Sequence, residues 1–498
     1  MLVLALIFPI IGFVLQTYTR LFNKKFGVDV WTRLLETEHV RKAGHKIPGK
    51  ISGQFILEGY FDYPIVFPFL LSFFHPKTIE KYQGFVAPFF DFLNNILIFI
   101  AAYYFSGSIV ISLIAQIIYT FTPVIVLENS SLTPRSLGYL NFNLAFLSTL
   151  IFYFTGSNLA LVGSVIFTTL IFLTHRFAMQ SLFFLSIFFS IYLQSVLFIG
   201  VFVIGFLLAI ILTGGYYIRV LIGHLYNIYF WIPNRVNRFA HQVRGLQKSN
   251  KKRDFVEMVY TMLSKFAPVT LVATNFWVVS GFVVLFYYLF PQNFVVFSIP
   301  AYIDLFAAWI LFFYFLGIPI LMIPWFICIG EGYRYLEMAS LPTAIVSSWL
   351  LAEFMNTPYA MYAVLLYLAL NLGNLGLILM VHRNIIRDRN RSITEDLENV
   401  FRFLNKQKKI YRILCVPHQN TTNIIYHTKH QVFVNADNSG LLPVSVVYPV
   451  IKWPLLETIE KYNLNLILLK ESFAKVSELK LKKHKEIFRS GDIVLLEV

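Results

Sequence analysis

The first residue whose surroundings suggest chemistry is Asp29, in the polar stretch that follows the first apolar segment. This stretch reads TYTRLFNKKFGVDVWTRLLETEHVRKAGHKIP, and in it carboxylates first stand among many lysines and arginines. A carboxylate held at such a place can act as a general base that takes a proton from an attacking hydroxyl. An aspartate directly before VWTRLLE is equally typical of a helix N-cap. The sequence leaves both roles open, and the two are compatible.

Five further carboxylates are candidate substrate-binding residues. Asp62, in GYFDYP, precedes a proline and therefore also fits a turn. Asp91 lies inside an apolar segment, where an ionisable side chain is costly and usually lines a cavity. Glu128 follows the third apolar segment, whereas Glu331 and Glu337 lie together in GEGYRYLE. We predict that these residues face a substrate.

Cationic side chains near these carboxylates are the candidates for binding phosphate. Arg334, in GEGYRYLE, is the first of them, because a guanidinium can bind a phosphate through two parallel hydrogen bonds. A structural Arg–Glu pair at the start of a helix is the alternative. The other candidates for binding a phosphate, or the donor molecule that carries it, are the arginines Arg135, Arg176 and Arg219 and the tyrosine Tyr335. The remaining candidate substrate-binding residues are His175, Tyr216, Tyr217 and His224.

The composition indicates that membrane-spanning helices position these residues. The chain has 498 residues, of which 57% are hydrophobic and 13% charged, and its mean hydropathy is +0.66. A chain embedded in lipid needs that much apolar surface, whereas a soluble globular protein does not. The net charge of +15 would suggest nucleic acid for a soluble protein, but a membrane protein more often meets phosphate on lipids. We therefore expect membrane lipids as partners and no nucleic acid.

Eleven apolar segments approach the length of about 20 residues that a membrane-spanning helix needs. They lie near 2–16, 86–105, 109–127, 138–154, 158–174, 180–194, 196–214, 267–290, 298–318, 339–355 and 360–381. The run 63–74 is short and contains prolines, so we expect a half-helix that dips into the membrane. With eleven crossings, all the charged junctions fall on one face, including a first loop (17–85) and a basic loop (215–266).

Residues 382–498 are predicted to form a separate soluble α/β domain after a transmembrane domain over 1–381. Their apolar runs shorten to strand length in RILCVP, NIIYHT, QVFVN, LNLILLK and DIVLLEV, with helix-like stretches at 394–407 and 454–463. The sequence contains no glycine-rich phosphate-binding motif and no His/Cys cluster with metal-ligand spacing.

These motifs together resemble those of the GT-C glycosyltransferases. That class uses polyprenyl-phosphate-linked sugars and includes oligosaccharyltransferase catalytic subunits and protein O-mannosyltransferases. The resemblance covers most of 1–381 and rests on four stretches: GVDVW, FDYPIVFPFLLSFF, the run from APFFDFLNNILIFIAAYYFSG to FTPVIVLENSSLTPRSLG, and GEGYRYLEMASLP. It implies a polytopic helical membrane fold, Asp29 as the catalytic base and Arg334 on the lipid-linked phosphate.

The resemblance also implies a reaction. A sugar would pass from a polyprenyl-phosphate donor to a glycan or lipid acceptor, with inversion at the anomeric carbon. Oligosaccharyltransferases bind a divalent metal through a second acidic motif, which here would fall at 139–143, where YLNFN contains no carboxylate. We therefore predict no certain cofactor, and a divalent metal stays an alternative.

Orientation and two other functions stay open at the level of the sequence. The positive-inside rule places the basic loops in the cytoplasm, whereas the resemblance places the active site and the C-terminal domain outside the cytoplasmic membrane. We follow the resemblance, because a phosphate site needs cations. An O-antigen ligase or polymerase-like enzyme would use a large Arg- and His-containing loop such as 215–266. A flippase or transporter of lipid-linked glycans would use a basic cavity without a catalytic base.

Overall fold

The protein is a helical bundle followed by a mixed β-sheet with helices on both faces. The structure, a computed structural model, describes residues 2–27, 29–51, 53–234, 266–290, 298–389, 391–434, 448 and 455–498. The first elements are α1 (Leu2–Phe22), α2 (Asp29–Lys42), β1 (Lys50–Ile51), β2 (Phe55–Leu57), β3 (Gly59–Tyr60), α3 (Val66–Ser72), α4 (Pro76–Ser106), α5 (Ile109–Thr120), α6 (Pro123–Glu128), α7 (Arg135–Thr155), α8 (Asn158–Phe172), α9 (Arg176–Tyr192), α10 (Leu197–Leu212) and α11 (Tyr216–Asn234).

Three short 3₁₀ segments lie among the helices that complete the bundle: Phe276–Val278, Pro324–Ile329 and Gly332–Glu337. The helices themselves are α12 (Ala267–Thr274), α13 (Val279–Leu289), α14 (Ala301–Met322), α15 (Ser340–Met355) and α16 (Ala360–Arg387). The C-terminal region contains α17 (Glu395–Lys406), β4 (Arg412–Val416), α18 (Asn420–His427), β5 (Gln431–Val434), α19 (Leu455–Lys461), β6 (Leu466–Lys470), a 3₁₀ segment (Val476–Leu479), β7 (Lys485–Ser490) and β8 (Ile493–Glu497).

The chain is an integral membrane protein, but eleven crossings are not confirmed. Within the described residues, five helices are long and apolar enough to cross a membrane: α1, α4, α7, α14 and α16. Two bent pairs, α10 with α11 at 116° and the helices of 267–289 at 110°, would raise the number to seven. The other apolar helices have 12 to 17 residues. At 1.5 Å per residue they span about 18–26 Å, less than the hydrocarbon thickness of about 30 Å.

The first loop is shorter than predicted, because both flanking helices continue into polar sequence. The helix predicted over 2–16 ends at Phe22, and the helix predicted from residue 86 begins at Pro76. Arg20 remains helical because it is buried: its Nε donates to the Ser130 carbonyl over 2.8 Å. A helix whose polar residues find buried partners extends beyond its apolar run.

The predicted basic loop, 215–266, begins instead as helix α11. Its sequence YYIRVLIGHLYNIYFWIPN contains a single arginine, Arg219, and no proline before Pro233, so nothing breaks the helix that starts at Tyr216. The residues Tyr216, Tyr217 and His224 therefore lie on a helix and not on a loop. Residues 235–265, which contain the other lysines and arginines of this stretch, lie outside the described residues, as does the junction 291–297.

The C-terminal sheet takes one strand from the first loop. Its described strands follow the order β2-β5-β4-β6-β8-β7, and β2 pairs in parallel with β5 through Phe55 with Val432 and Leu57 with Val434. The sheet therefore includes residues outside the predicted domain 382–498. The predicted strand NIIYHT was wrong: these residues belong to α18, where the buried Ile424 packs at helical spacing. The charged edge strand β7 was not predicted.

Both faces of this sheet contact the bundle. On one face, α18 packs against α2, and the Trp31 ring lies 4.7 Å from His427 and 5.4 Å from Tyr426 between ring centroids. On the other face, Phe230 and Trp231 at the end of α11 join the apolar cluster of the sheet. Helix α2 is therefore enclosed between bundle and sheet, with nine of its 14 residues buried. The sequence alone predicts an interfacial helix within the first loop at this place; the burial of Arg33 and Glu36 shows that two of its charged side chains face the interior.

Candidate functional site

Asp29 stands at the start of α2 with an exposed side chain. The next residues, Val30 and Trp31, are buried, so the first turn of the helix is fixed by packing while the carboxylate faces outward. Carboxylates are stabilising near the N-terminus of a helix, and Asp29 has this position on α2. The carboxylate is therefore accessible to a ligand that binds at this end of α2.

Four guanidinium groups surround His175, and we call Arg33, Arg135, Arg176 and Arg334 the arginine cluster. Arg33 comes from α2, Arg135 begins α7, Arg176 begins α9, and Arg334 lies in the 3₁₀ segment before α15. Burial lowers the pKa of His175 well below its ordinary value, and the four arginines lower it further. The imidazole is therefore neutral at physiological pH.

His175 also has a defined tautomer. Its Nδ1 accepts a hydrogen bond from the backbone N–H of Ala178 over 3.3 Å and so caps α9. Because Nδ1 accepts, the proton lies on Nε2, which can donate to an anion. The ring packs against α7 at Gly138, where a Cβ atom would lie 2.5 Å from the His175 Cβ. A glycine there lets the starts of α7 and α9 come together.

Carboxylates accompany each of three members of the arginine cluster. Arg33 Nη1 donates to both oxygens of Glu36 at 2.6 Å. The Arg334 Nε atom lies 2.7 Å from a Glu331 oxygen. Arg135 pairs with Glu128 and has Glu337 at 3.7 Å. The members of these pairs are Arg33, Glu36, Arg135, Glu128, Glu337, Arg334 and Glu331. These acids balance the positive charge of the cluster.

Asp29 acts electrostatically on Arg334. Burial lowers the pKa of the Arg334 guanidinium, but the carboxylates of Glu331 and Asp29 and the Tyr333 hydroxyl raise it, and the net pKa is above the ordinary value. Such a Coulombic effect falls off quickly with distance. Asp29 and Arg334 therefore belong to the same electrostatic environment.

The ring of Tyr63 forms a platform under two members of the cluster. The guanidinium carbons of Arg33 and Arg176 lie 3.7 Å and 4.9 Å from its centroid. Arg176 also donates to the backbone carbonyl of Asp62, and the Tyr216 hydroxyl donates to the carbonyl of Tyr63. Asp62 and Tyr216 thus contribute to the site by holding the loop that carries Tyr63.

Four candidate residues lie beside the cluster in supporting contacts. The Arg219 guanidinium stacks on Tyr60, 4.5 Å from its centroid. The Tyr217 ring packs in the core, 5.3 Å from Phe172. The Tyr335 hydroxyl donates to the Ile329 carbonyl over 3.1 Å and accepts from Gln180, whose other amide atom lies 3.3 Å from His224 Nε2. These residues are Arg219, Tyr217, Tyr335 and His224.

Asp91 belongs to a separate polar network inside the bundle. Its carboxylate accepts from Gln16 at 2.5 Å, from the Tyr119 hydroxyl at 2.6 Å and from Asn129 at 3.1 Å. A buried carboxylate with three donors is a satisfied structural group. The network ties α1, α4 and α5 together, and Asp91 is not part of the arginine cluster.

Two important residues of the site were not among the predicted site residues, namely Arg33 and Tyr63. Arg33 lies one helical turn after Asp29, on a helix whose apolar residues include Trp31 and Leu34. A basic residue on such a helix is a signal for an internal partner. Tyr63 has no comparable signal, because its role depends on the contacts of Arg33 and Arg176.

The residues at the place of a second acidic motif do not fit a divalent metal. Asn141 Nδ2 approaches the Thr174 hydroxyl at 3.5 Å, and Asn143 donates to Asn94 at 2.8 Å, so these amides serve the bundle. In the part of the chain that the structure describes, no three His, Cys, Asp or Glu residues come together as a metal site. Hard divalent cations prefer carboxylate oxygens.

The bundle and its α/β region have the fold of the GT-C glycosyltransferases. One similar structure is the archaeal oligosaccharyltransferase AglB from Archaeoglobus fulgidus with an inhibitory peptide and a dolichol-phosphate. It shares 11% identity at a TM-score of 0.59, over 94% of this chain and 69% of AglB. Another is ArnT from Cupriavidus metallidurans bound to undecaprenyl phosphate, with 11% identity and a TM-score of 0.50 over 98% of this chain and 97% of ArnT. No family model and no curated protein sequence matches the chain.

Proposed function

We propose that the chain is a glycosyltransferase that moves a sugar from a polyprenyl-phosphate-linked donor to a glycan or lipid acceptor. The observation that carries the proposal is the exposed carboxylate of Asp29 on the helix that also contributes Arg33 to the arginine cluster, in a protein with the GT-C fold. The similar structures contain dolichol-phosphate and undecaprenyl phosphate, which supports a lipid-linked phosphate as ligand.

Asp29 would act as the base of the reaction. The acceptor hydroxyl gives its proton to this carboxylate while its oxygen attacks the anomeric carbon of the sugar. The bond between that carbon and the phosphate oxygen breaks, and its electron pair stays on the phosphate. Attack from the side opposite the leaving phosphate inverts the anomeric configuration.

The arginine cluster would bind the phosphate that gains this charge. Arg334 and Arg135 provide guanidinium groups, and the Nε2–H of His175, whose pKa both arginines lower, supplies a neutral donor. Donors that are fixed before the reaction stabilise charge as it develops. The buried setting strengthens these interactions relative to water.

The proposed site needs no metal, because its positive charge comes from arginines. We place the site and the C-terminal region on the outer side of the cytoplasmic membrane, where a lipid-linked donor presents its headgroup. The described residues indicate binding of a phosphate, but they do not distinguish one donor sugar or one acceptor from another.

Binding of undecaprenyl phosphate to the detergent-solubilised protein tests the phosphate site. We expect Arg334→Ala to weaken binding about tenfold, the effect of losing one charge-assisted contact of about 1.4 kcal/mol. Arg402→Ala, a control on the outer surface of α17, should bind as the wild type does. Equal affinity of the Arg334 variant and the wild type would remove the phosphate role from the cluster.

Transfer from a panel of undecaprenyl-phosphate-linked hexoses and pentoses tests the catalytic role. Asp29→Asn should retain undecaprenyl phosphate binding and lose transfer by a factor of about 100 or more. A transporter of lipid-linked glycans would tolerate this change, because the exposed carboxylate supports no contact in the core. Unchanged transfer by Asp29→Asn would contradict the proposal.

A further inference from the structure

A second carboxylate of the site, Glu337, is buried without hydrogen bonds. Its side chain is 0% exposed, and neither carboxylate oxygen has a hydrogen-bond partner among the described residues. Buried carboxylates normally accept hydrogen bonds, because desolvation strongly disfavours the bare charge. Among the described residues, the ionised form of Glu337 is thus stabilised only by charged groups close to it.

The charged group next to Glu337 is shared with another acid. Arg135 Nη1 lies 3.7 Å from Glu337 Oε1, while the same guanidinium pairs with Glu128. Other charged or titratable groups around this guanidinium are Arg334, Glu331 and Tyr333. Tyr119 of α5 is also close enough to sense the Glu337 carboxylate. One guanidinium therefore stands between two acids, and only Glu128 bonds it directly.

This geometry makes the Glu337 carboxyl easy to protonate. Burial raises the pKa of Glu337 to about 7, although Arg135 acts in the opposite direction. An anion that binds Arg135 adds negative charge near Glu337 and offsets the attraction of the guanidinium. Both effects favour the neutral acid.

We propose that Glu337 takes up one proton when a phosphate group binds to Arg135. The proposal rests on the proposed function, because it takes the arginine cluster as the phosphate site. One O–H bond forms on Glu337, and the proton comes from solvent. Protonation neutralises the Glu337 carboxylate, which otherwise competes for Arg135. Arg135 then binds only Glu128 and the phosphate.

The coupling makes phosphate binding depend on pH. If a bound phosphate shifts the protonation equilibrium of Glu337 about tenfold toward the neutral acid, the wild type at pH 8 binds about fivefold more weakly than a protein whose residue 337 is always neutral. At pH 6 the carboxyl is already mostly protonated, so the two proteins bind about equally. The Glu337→Gln variant provides the neutral side chain with nearly the same shape.

Titration calorimetry of the full chain with undecaprenyl phosphate in detergent tests the proposal. In two buffers of different ionisation enthalpy at pH 8, the wild type should take up about 0.4 proton more than Glu337→Gln. The variant should bind about fivefold more tightly at pH 8 and equally at pH 6. Glu353→Gln, at the opposite end of α15, is the matched control and should behave as the wild type. Inorganic phosphate in a parallel titration shows whether the lipid is needed for the effect.

The outcomes separate this inference from the proposed function. Binding with the same proton uptake in wild type and Glu337→Gln overturns the role of Glu337 and leaves the phosphate site in place. Weaker binding by the variant at both pH values assigns Glu337 a structural role and also overturns the inference. No binding of undecaprenyl phosphate by the wild type contradicts the proposed function, and the inference falls with it.

Discussion

At the scale of single residues, the site combines strong positive charge with one histidine that stays neutral. The arginine cluster suppresses protonation of His175, and the capping bond from Ala178 to its Nδ1 leaves a proton on Nε2. A neutral donor can hydrogen-bond an anion without adding a charge that must itself be desolvated. His175 can thus act as a neutral contact for an anion among four guanidiniums, three of which already have carboxylate partners.

Gly138→Ala should weaken binding of undecaprenyl phosphate several-fold by displacing His175. The new methyl group would lie 2.5 Å from the Cβ and 3.0 Å from the Cγ of His175, so the imidazole must move. Gly200→Ala, on α10 with no atom within 4 Å of the added Cβ, is the control and should leave binding unchanged. The test compares the affinity of both purified variants for undecaprenyl phosphate with that of the wild type. Equal affinities would show that the position of His175 has no effect on the ligand.

The stability of the protein should depend on Glu337 in a defined pH window. Burial raises the pKa of Glu337 from 4.5 to about 7, so between these values the folded state holds a proton that the unfolded chain releases. The wild type therefore loses stability as pH rises from about 4.5 to about 7, by roughly 3 kcal/mol in total.

Thermal unfolding of wild type and Glu337→Gln at several pH values measures this dependence. Glu337→Gln should lack the loss of stability between about pH 4.5 and pH 7, and it should be more stable than the wild type at pH 8. Glu353→Gln should keep the slope of the wild type. Parallel curves for wild type and Glu337→Gln between pH 5 and pH 7.5 would mean that Glu337 is ionised throughout.

At the scale of elements, helix α2 connects Asp29, the proposed base, to the C-terminal region. The Trp31 ring, two residues after Asp29, contacts Tyr426 and His427, and Phe401 stacks on His427 at 4.7 Å. The Thr32 hydroxyl also lies 3.3 Å from that of Thr422. The position of the first turn of α2, which carries Asp29, is therefore determined by both the bundle and the sheet.

Trp31→Ala should loosen α2 and destabilise the protein by about 3–5 kcal/mol, the usual cost of removing a buried tryptophan. Trp31 is 3% exposed, so its removal leaves a cavity at the contact between α2 and α18. Hydrogen exchange over residues 29–42 should become faster, and Trp31→Phe should restore most of the protection. Trp325→Ala, at a ring that is 56% exposed, serves as the control. If hydrogen exchange in α2 is the same in Trp31→Ala and in the wild type, the contact between α2 and α18 does not hold α2 in place.

The sequence predicts the elements better than it predicts their contacts. Helix α2, strands β4 and β6 and the helical nature of the apolar segments follow from local patterns. The continuation of α1 to Arg20 does not follow, because it depends on a carbonyl acceptor at Ser130. Asp29 and Arg334 were predicted as partners on a resemblance, whereas the enclosure of Glu337 depends on tertiary packing that local periodicity does not contain.

At the scale of the whole molecule, the membrane bundle and the C-terminal sheet form one packed unit. Strand β2 comes from the first loop and covers the β5 edge, and a continuous core joins α2 to the helices of the sheet. Two residues that precede α2 also bond to the C-terminal region: Asn23 bonds to Ser392, and Lys25 pairs with Glu398. The C-terminal region is therefore a part of the site's framework, and its sheet is complete only when the first loop is present.

A fragment of residues 382–498 alone should consequently fold poorly. Without β2, the backbone of β5 is an unpaired edge, and without Phe230 and Trp231 the opposite face of the sheet loses part of its apolar cover. Joining residues 53–62 to the fragment through a flexible linker should raise its unfolding temperature, because the linker lets Phe55 pair with Val432 again. The same fusion with Ile56→Pro, which removes a backbone donor from the added strand, should gain less. An isolated fragment that is as stable as the fusion would show that the sheet folds independently, and the position of α2 would then have to be set by the bundle.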